Sequence, residues 1–267
     1  MWSKPSRFAK ALAIVFALGQ TTCERNPPEF EIVEIDPKLV VRFSIENNGE
    51  AIDVDEPFTD AYGYECIVRE LKFFVSDLAL IDDQSVLVPL KDVTLFNYRE
   101  ISEGENQIFN RSVIRIVPKG KYSQLRFDFG LPKDLNASDP AMFANDHPLG
   151  VYNLGMHWDW ATKYKFMELR IEVLSHNGEP LGHGIEVHSG LDTLFRPGQS
   201  FDVALSLEAF DKDTLHLVAD WNMWFHGGEE PTGLDTEIFT HGTATVEDFE
   251  IARRVTDQFV RCLKARP

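Results

Sequence analysis

The residues best suited to chemistry lie in one short segment, 155–166, and in a later histidine, His188. The segment reads Gly-Met-His-Trp-Asp-Trp-Ala-Thr-Lys-Tyr-Lys-Phe, so it joins two tryptophans and a histidine to two further aromatic residues. Indole N–H groups and imidazole nitrogens all need partners when they are buried. The segment therefore predicts either a densely packed core strand or a site where oxidisable side chains meet a metal ion.

Strand alternation divides this segment between two faces, because neighbouring side chains on an extended chain point in opposite directions. Met156, Trp158 and Trp160 then share one face, and His157 and Asp159 share the other. Asp159 is thereby placed to orient His157, as carboxylates usually do for metal-binding histidines. Two interpretations stay open. Either the segment bends, with Trp158 in the core and Trp160 near a metal, or His157 takes no part.

The second candidate ligand is His188, which lies two residues after Glu186. On a strand these two side chains share a face, so Glu186 is placed to hydrogen-bond the imidazole. The alternation makes His188 a better ligand candidate than His157. The alternative is a histidine whose nitrogens bond only to the backbone, which is common in strands.

Charge excludes several classes of partner. The 267 residues carry 26 Lys and Arg against 43 Asp and Glu, a formal net charge of −17. Nucleic acid would require the opposite sign, and anionic lipid would be repelled. With 43% hydrophobic residues the chain has ample material for a core. Composition is thus consistent with a folded domain that attracts cations, without naming one.

The N-terminus has the pattern of a secretory signal. A basic start precedes an apolar run at 11–18 that is too short to span a bilayer, which predicts a signal peptide over 1–22. Two outcomes remain open: cleavage after the small residues near 19, or lipidation of Cys23. Membrane attachment is expected only through that lipid. A tether over 23–37 and one domain over 38–267 complete the predicted organisation.

Cys66 and Cys262 are the other two cysteines. In an oxidising compartment they are candidates for one disulfide that ties the C-terminal helix to a sheet. The alternative is a pair of buried thiols that act as small hydrophobic side chains.

Short strands separated by turn residues dominate the rest of the chain, which is typical of an antiparallel β-sandwich. The predicted strands cover 39–45, 66–81 (as one strand or two), 84–90, 112–117, 124–129, 163–174, 201–207 and 215–221. One C-terminal helix is expected, opened by a capping pattern at Thr245. A long aperiodic loop, 131–153, precedes the tryptophan segment.

Enzyme signatures are not found. The serine after His188 lacks the glycine pattern of a nucleophile elbow, and no zinc-protease, P-loop or dinucleotide motif occurs. We therefore expect a protein that is not an enzyme.

A series of motifs follows in one order: 70–80, Gly120-Lys121-Tyr122, 127–132, Leu135-Asn136, Pro148-Leu149, 156–160, Tyr164-Lys165-Phe166 and the turn after His188. In this order the chain resembles the MbnP-like family, copper-binding proteins of the bacterial periplasm or cell surface with a Trp-x-Trp motif. The resemblance extends over about residues 38–225, and the two-tryptophan segment is its specific part.

The resemblance implies a β-sandwich that binds copper through histidine nitrogens. It also implies that one tryptophan, Trp158 or Trp160, is oxidised to kynurenine by a partner dihaem oxidase of the MauG type. By position His188 matches the family's histidine, and His157 is added as a second ligand. The expected location is periplasmic, anchored at the outer membrane, or secreted.

Two functional hypotheses follow. The first is a non-catalytic copper-binding protein for acquisition, storage or sensing. The second is a metal-free surface β-sandwich that binds a sugar or a protein through its tryptophan-rich face.

Overall fold

Alternating burial along the first strand shows why this chain forms sheets. The structure is a computed structural model that describes residues 35–99, 111–158, 163–174, 180–228, 231, 232, 234, 238–240 and 245–267. In its first strand, the buried residues are Leu39, Val41, Phe43 and Ile45. The residues between them are not, so one face of the strand lies on the core and the other faces outward.

The described strands are β1 (Lys38–Asn47), β2 (Glu50–Ala51), β3 (Pro57–Thr59), β4 (Glu65–Asp82), β5 (Leu87–Asn97), β6 (Ser112–Ile116), β7 (Gly120–Phe129), β8 (His157–Trp158), β9 (Lys163–Tyr164), β10 (Met167–Leu174), β11 (Pro180–Ser189), β12 (Arg196–Leu207), β13 (Lys212–Asp220), β14 (Ile238–Thr240) and β15 (Leu263–Arg266). The described helices are α1 (Lys133–Asn136), α2 (Trp221–His226) and α3 (Val246–Cys262), with 3-10 turns at Pro140–Met142 and Asp192–Leu194.

Two sheets form the sandwich. The first has the order β15-β13-β1-β2, with β6 also paired to β1. The second has the order β12-β7-β4-β10-β11-β14, with β3 and β5 paired to β4. Most pairs are antiparallel, as the sequence predicted. The pairs β1–β13 and β11–β14 are parallel, which the sequence did not predict.

Aromatic side chains join the two sheets and the C-terminal helix. Phe43 of the first sheet meets Phe73 of the second with ring centroids 4.8 Å apart, and Phe259 of α3 lies 5.1 Å from Phe73. All three rings are fully buried. The fold is therefore an all-β sandwich with a C-terminal helix packed on its core, as predicted.

The cap predicted at Thr245 is present, because its side chain accepts a hydrogen bond from the backbone of Asp248. The strand predicted over 215–221 ends at Asp220 instead. The Asp220 side chain accepts from Met223 N and starts the short helix α2, which the sequence analysis missed. The predicted long loop before β8 is present and contains α1 and a 3-10 turn.

Cys66 and Cys262 are free, buried thiols, so the predicted disulfide is wrong and the alternative describes them. The Cys262 thiol donates to Phe259 O within its own helix. Burial raises the pKa of Cys66 to about 12, and it also raises the pKa of Cys262. Both cysteines therefore behave as small hydrophobic residues of the core.

Glu34–Pro267 forms one compact unit. The predicted signal peptide and Cys23 lie outside the described residues, as does nearly all of the predicted tether, and they stay predictions. In the described part of the chain, no helix is long and apolar enough to cross a membrane.

Candidate metal centre

A row of three polar residues crosses the second sheet and includes His188. Lys72 of β4 pairs directly with Glu168 of β10, and Glu168 pairs directly with His188 of β11. The residue before each of them is fully buried in the core: Leu71, Met167 and Val187. Because side chains alternate along strands, the row lies on the face of the sheet turned away from that core.

The imidazole of His188 faces two carboxylates. Its Nε2 lies 3.4 Å from Oε1 of Glu168 and 3.6 Å from Oε1 of Glu186, and its side chain is 10% exposed. The predicted proximity of Glu186 and His188 is therefore present. Glu168, which is closer and less exposed than Glu186, was not predicted.

Two lysines hold the other oxygen of Glu168. Its Oε2 lies 3.1 Å from Nζ of Lys72 and 3.2 Å from Nζ of Lys165. Lys72 also reaches Glu70 at 2.9 Å and donates to the carbonyl of Leu154 at 2.8 Å. Its ammonium group thus meets three oxygens, which matches its three N–H donors.

These partners determine the protonation of Glu168. Burial by itself would raise the pKa of this carboxyl group. The hydrogen bond from His188 and the charges of Lys72 and Lys165 outweigh burial and lower the pKa to about 2. Glu168 is therefore an ionised acceptor beside His188 at every physiological pH.

A small hairpin carries the tryptophan segment. His157 pairs with Tyr164, and Trp158 pairs with Lys163. The ring of His157 meets the ring of Tyr164 edge-on, with centroids 4.8 Å apart. Trp158 is 4% exposed. The structure thus agrees with the interpretation in which Trp158 is a core residue.

Trp158 packs over the turn that follows His188. A Cβ on Gly190 would lie 2.6 Å from Cζ3 and 2.7 Å from Cη2 of its indole ring, and it would also clash with the backbone oxygen of Tyr164. Only glycine allows this approach, because contacts below 3 Å are repulsive. The hairpin is therefore closely packed against the turn at the end of the His188 strand.

Asn136 ties the hairpin to the same turn. Its side-chain amide donates to the Gly190 carbonyl at 3.0 Å and to Asp192 at 2.8 Å, while its oxygen accepts from Tyr164 N at 3.0 Å. Lys163 adds an ion pair to Asp192 at 3.0 Å. The long loop before the tryptophan segment thus contributes a fully buried residue, Asn136, that positions the hairpin.

Other predicted site residues have different outcomes. Asp159 and Trp160 lie outside the described residues. Within the residues that are described, no group of three or more His, Cys, Asp or Glu side chains has the geometry to hold a metal ion. The predicted ligand pair of His188 and His157 is smaller than such a group, so it stays a prediction.

The described tryptophans do not form an exposed face. Trp158 is 4% exposed, and Trp221 and Trp224 are fully buried. Trp224 donates its indole N–H to Val255 O at 3.2 Å. A sugar- or protein-binding platform, the alternative function predicted from the sequence, therefore finds no support in these three residues.

The fold and the polar row define a class: an all-β sandwich whose candidate ligand lies on the outer face of one sheet beside a tryptophan hairpin. Within this class the chain belongs to the MbnP family, whose family model matches residues 36–241. No match was found among curated proteins. Among solved structures, MbnP from Methylosinus trichosporium is similar with 16% identity and a TM-score of 0.49, over 80% of this chain and 86% of that chain.

Proposed function

We propose that this protein binds copper outside the cytoplasm in a non-catalytic role of acquisition, storage or sensing. Membership of the MbnP family supports this, together with the implied copper chemistry of that family. The observation that carries the proposal is the imidazole of His188, which is held against two carboxylates next to the tryptophan hairpin. Imidazole is a ligand well suited to copper.

The side chains at this site supply part of what a copper ion requires. His188 supplies the nitrogen, and Glu168 orients it in the way that carboxylates usually orient metal-binding histidines. His157, on the hairpin that packs beside the Gly190 turn, is the second proposed ligand. Further ligands are required, because the described residues contain no group of three.

The family resemblance implies that an oxidised tryptophan takes part in copper binding. We assign this oxidation to Trp160 rather than Trp158. Trp158 is 4% exposed and its ring lies against the Gly190 turn, which restricts the access of an oxidising partner to it. A partner dihaem oxidase of the MauG type is the proposed catalyst of this oxidation. Kynurenine would add an amine and a ketone to the imidazole donors.

Copper content after export tests the proposal. The protein is purified from the periplasm of a host that exports it, and copper is measured by elemental analysis beside intact mass. We expect stoichiometric copper in the native chain and its loss in His188→Ala. The matched control is His216→Ala, which removes a histidine from β13 of the other sheet and should keep the copper.

Absence of copper from the native protein, or full retention by His188→Ala, contradicts the proposal. In that case added copper leaves the melting temperature unchanged, whereas a true site raises it by mass action. Intact mass also reports lipidation of Cys23 and oxidation of tryptophan, since each changes the mass by a different amount.

A further inference from the structure

We propose that Lys72 is a positioning residue: it fixes the loop just before the tryptophan hairpin to the sheet that carries His188. The separation of the two proposed ligands then depends on Lys72, because His157 lies on that hairpin and His188 lies on the sheet. The inference rests on the proposed function where it concerns the metal ligands. It begins from the three acceptors of one buried ammonium group.

The ammonium group of Lys72 has one acceptor for each of its N–H bonds. Its Nζ lies 2.9 Å from Oε1 of Glu70 and 3.1 Å from Oε2 of Glu168, and it donates to the Leu154 carbonyl at 2.8 Å. Two of these acceptors belong to strands of the sheet, and the third belongs to the loop. The side chain is 7% exposed, so water cannot freely replace a lost partner. The sheet therefore determines where the ammonium group lies, and the ammonium group in turn holds the loop.

The backbone at this contact is of a kind that needs support. Leu154 has a φ of 55° and Gly155 a φ of 77°, so two consecutive residues are left-handed. This conformation is unfavourable for leucine, because its Cβ crowds the following carbonyl oxygen. Such residues persist only where the surrounding structure holds them in place. The hydrogen bond from Lys72 to the Leu154 carbonyl supplies a hold of this kind.

The other end of the tryptophan segment returns to the same carboxylate. Nζ of Lys165 lies 3.2 Å from Oε2 of Glu168, and the backbone N–H of Lys165 donates to the Met156 carbonyl at 2.7 Å. Glu168 thus meets one lysine that holds the start of the segment and one that belongs to its end. Loss of Lys72 should therefore loosen the start of the segment while the link through Lys165 remains.

Backbone amide exchange in the metal-free protein tests this directly. The substitution is Lys72→Met, which keeps an unbranched side chain and removes the charge and the donors. The amides to follow are those of Met156, which donates to Asn153 O, and of Lys165, which donates to Met156 O. We expect their protection to fall about 10- to 100-fold, the factor that corresponds to loss of a hydrogen bond from a charged donor. The segment itself is unchanged, so its intrinsic exchange rates stay the same.

The matched control is Arg69→Met, which removes another ion pair between the same two strands. Nη2 of Arg69 on β4 lies 2.6 Å from Oε2 of Glu172 on β10, and no described contact joins Arg69 to the loop at Leu154. We expect this variant to lose stability and to keep the protection of both amides. A role of Lys72 in stability alone would affect the two amides equally in both variants.

A second variant addresses the carboxylate that Lys72→Met leaves with a single lysine. In Lys72→Met/Glu168→Gln this residue carries no charge, and its side-chain oxygen still accepts from Lys165. The donor to Leu154 is absent here as well. Protection of the two amides should therefore fall as it does in Lys72→Met.

Copper affinity, measured by chelator competition, connects the hairpin to the proposed site. It should fall about 10- to 100-fold in both Lys72 variants, as is typical when a group that orients metal ligands is lost. Arg69→Met should bind copper as the native protein does.

The outcomes separate the two proposals. If the native protein binds no copper, the proposed function fails, and amide exchange alone decides whether Lys72 fixes the hairpin. Unchanged protection in both Lys72 variants, or an equal loss in Arg69→Met, overturns the positioning role. Native copper affinity in a variant whose segment is loosened overturns it as well, because the place of the hairpin would then not matter to the site.

Discussion

Among the described residues two histidines pair with carboxylates, His188 and His226, and the surroundings of these pairs differ. In the second pair, Nε2 of His226 lies 2.7 Å from Oδ2 of Asp60, whose side chain is 0% exposed. The other oxygen of Asp60 accepts from the backbone N–H groups of Tyr62 and Tyr64, both at 2.9 Å. The Tyr62 ring stacks on His226 with centroids 3.9 Å apart.

The comparison shows that the other partners of the carboxylate, rather than the pair itself, indicate its role. Apart from His226, the Asp60 carboxylate accepts hydrogen bonds only from backbone N–H groups of its own turn, among the bonds described. The pair therefore connects the β3–β4 turn to the end of α2. Glu168 is satisfied by two lysine side chains and a histidine on different segments. We infer a structural role for Asp60 and His226, and a binding role for His188.

The largest expected effect is on the structural pair. Asp60→Ala leaves His226 and two backbone N–H groups without their acceptor, and loss of one partner of a buried pair typically costs about 3–5 kcal/mol. The free energy of unfolding in urea measures it. The structural role of this pair would be contradicted if Asp60→Ala left stability unchanged, or if it removed copper binding from protein that is still folded.

Acid sensitivity should come from the binding pair. The pKa of Glu168 is lowered from 4.5 to about 2, so its ionised form favours the folded state by about 3 kcal/mol. This contribution is complete above about pH 4.5 and is lost as the pH falls toward 2.

Glu168→Gln lacks that contribution, so the difference in unfolding free energy between it and the native protein should shrink between pH 4.5 and pH 2. Metal-free protein in urea titrations at several pH values measures the trend. A difference that is independent of pH would contradict it.

Gly190→Ala should affect the hairpin beside His188. The added methyl group meets the Trp158 ring at 2.6 Å, and overpacking of this kind typically costs about 1–3 kcal/mol. Thermal unfolding measures the loss, and copper affinity should fall with it because the hairpin must move. Gly120→Ala is the control, since a Cβ there meets nothing within 4 Å. Equal effects of both substitutions would show that the close packing is unimportant.

The smallest effect is expected at Tyr62. Its ring is 63% exposed and its contribution is mainly the stack on His226, so Tyr62→Ala should cost about 0.5–1 kcal/mol. Chemical denaturation can resolve a change of this size. A loss above that of Asp60→Ala would reverse the order of importance assigned to the ring and the carboxylate.

Much of the fold was predictable because strand alternation is local. The alternation at 39–45 predicted β1, and the capping pattern at Thr245 predicted the start of α3. The start of α2 was missed although Asp220 is a good N-cap residue, because the apolar pattern of β13 continues into Trp221.

The site was predictable only where its residues are neighbours in sequence. Glu186 and His188 share a face because they are two residues apart. Glu168 and Lys72 reach His188 through strand register, which the sequence of a single strand does not determine. The second pair was equally hidden, because Asp60 and His226 are 166 residues apart.

Copper-edge anomalous diffraction from copper-loaded crystals tests the central claim most directly. The account predicts an anomalous peak about 2 Å from a ring nitrogen of His188, the usual length of a bond between a metal ion and imidazole nitrogen. It predicts no peak at His226. A peak at His226, or a bound copper ion that His188 does not contact, would contradict the assignment of the two pairs.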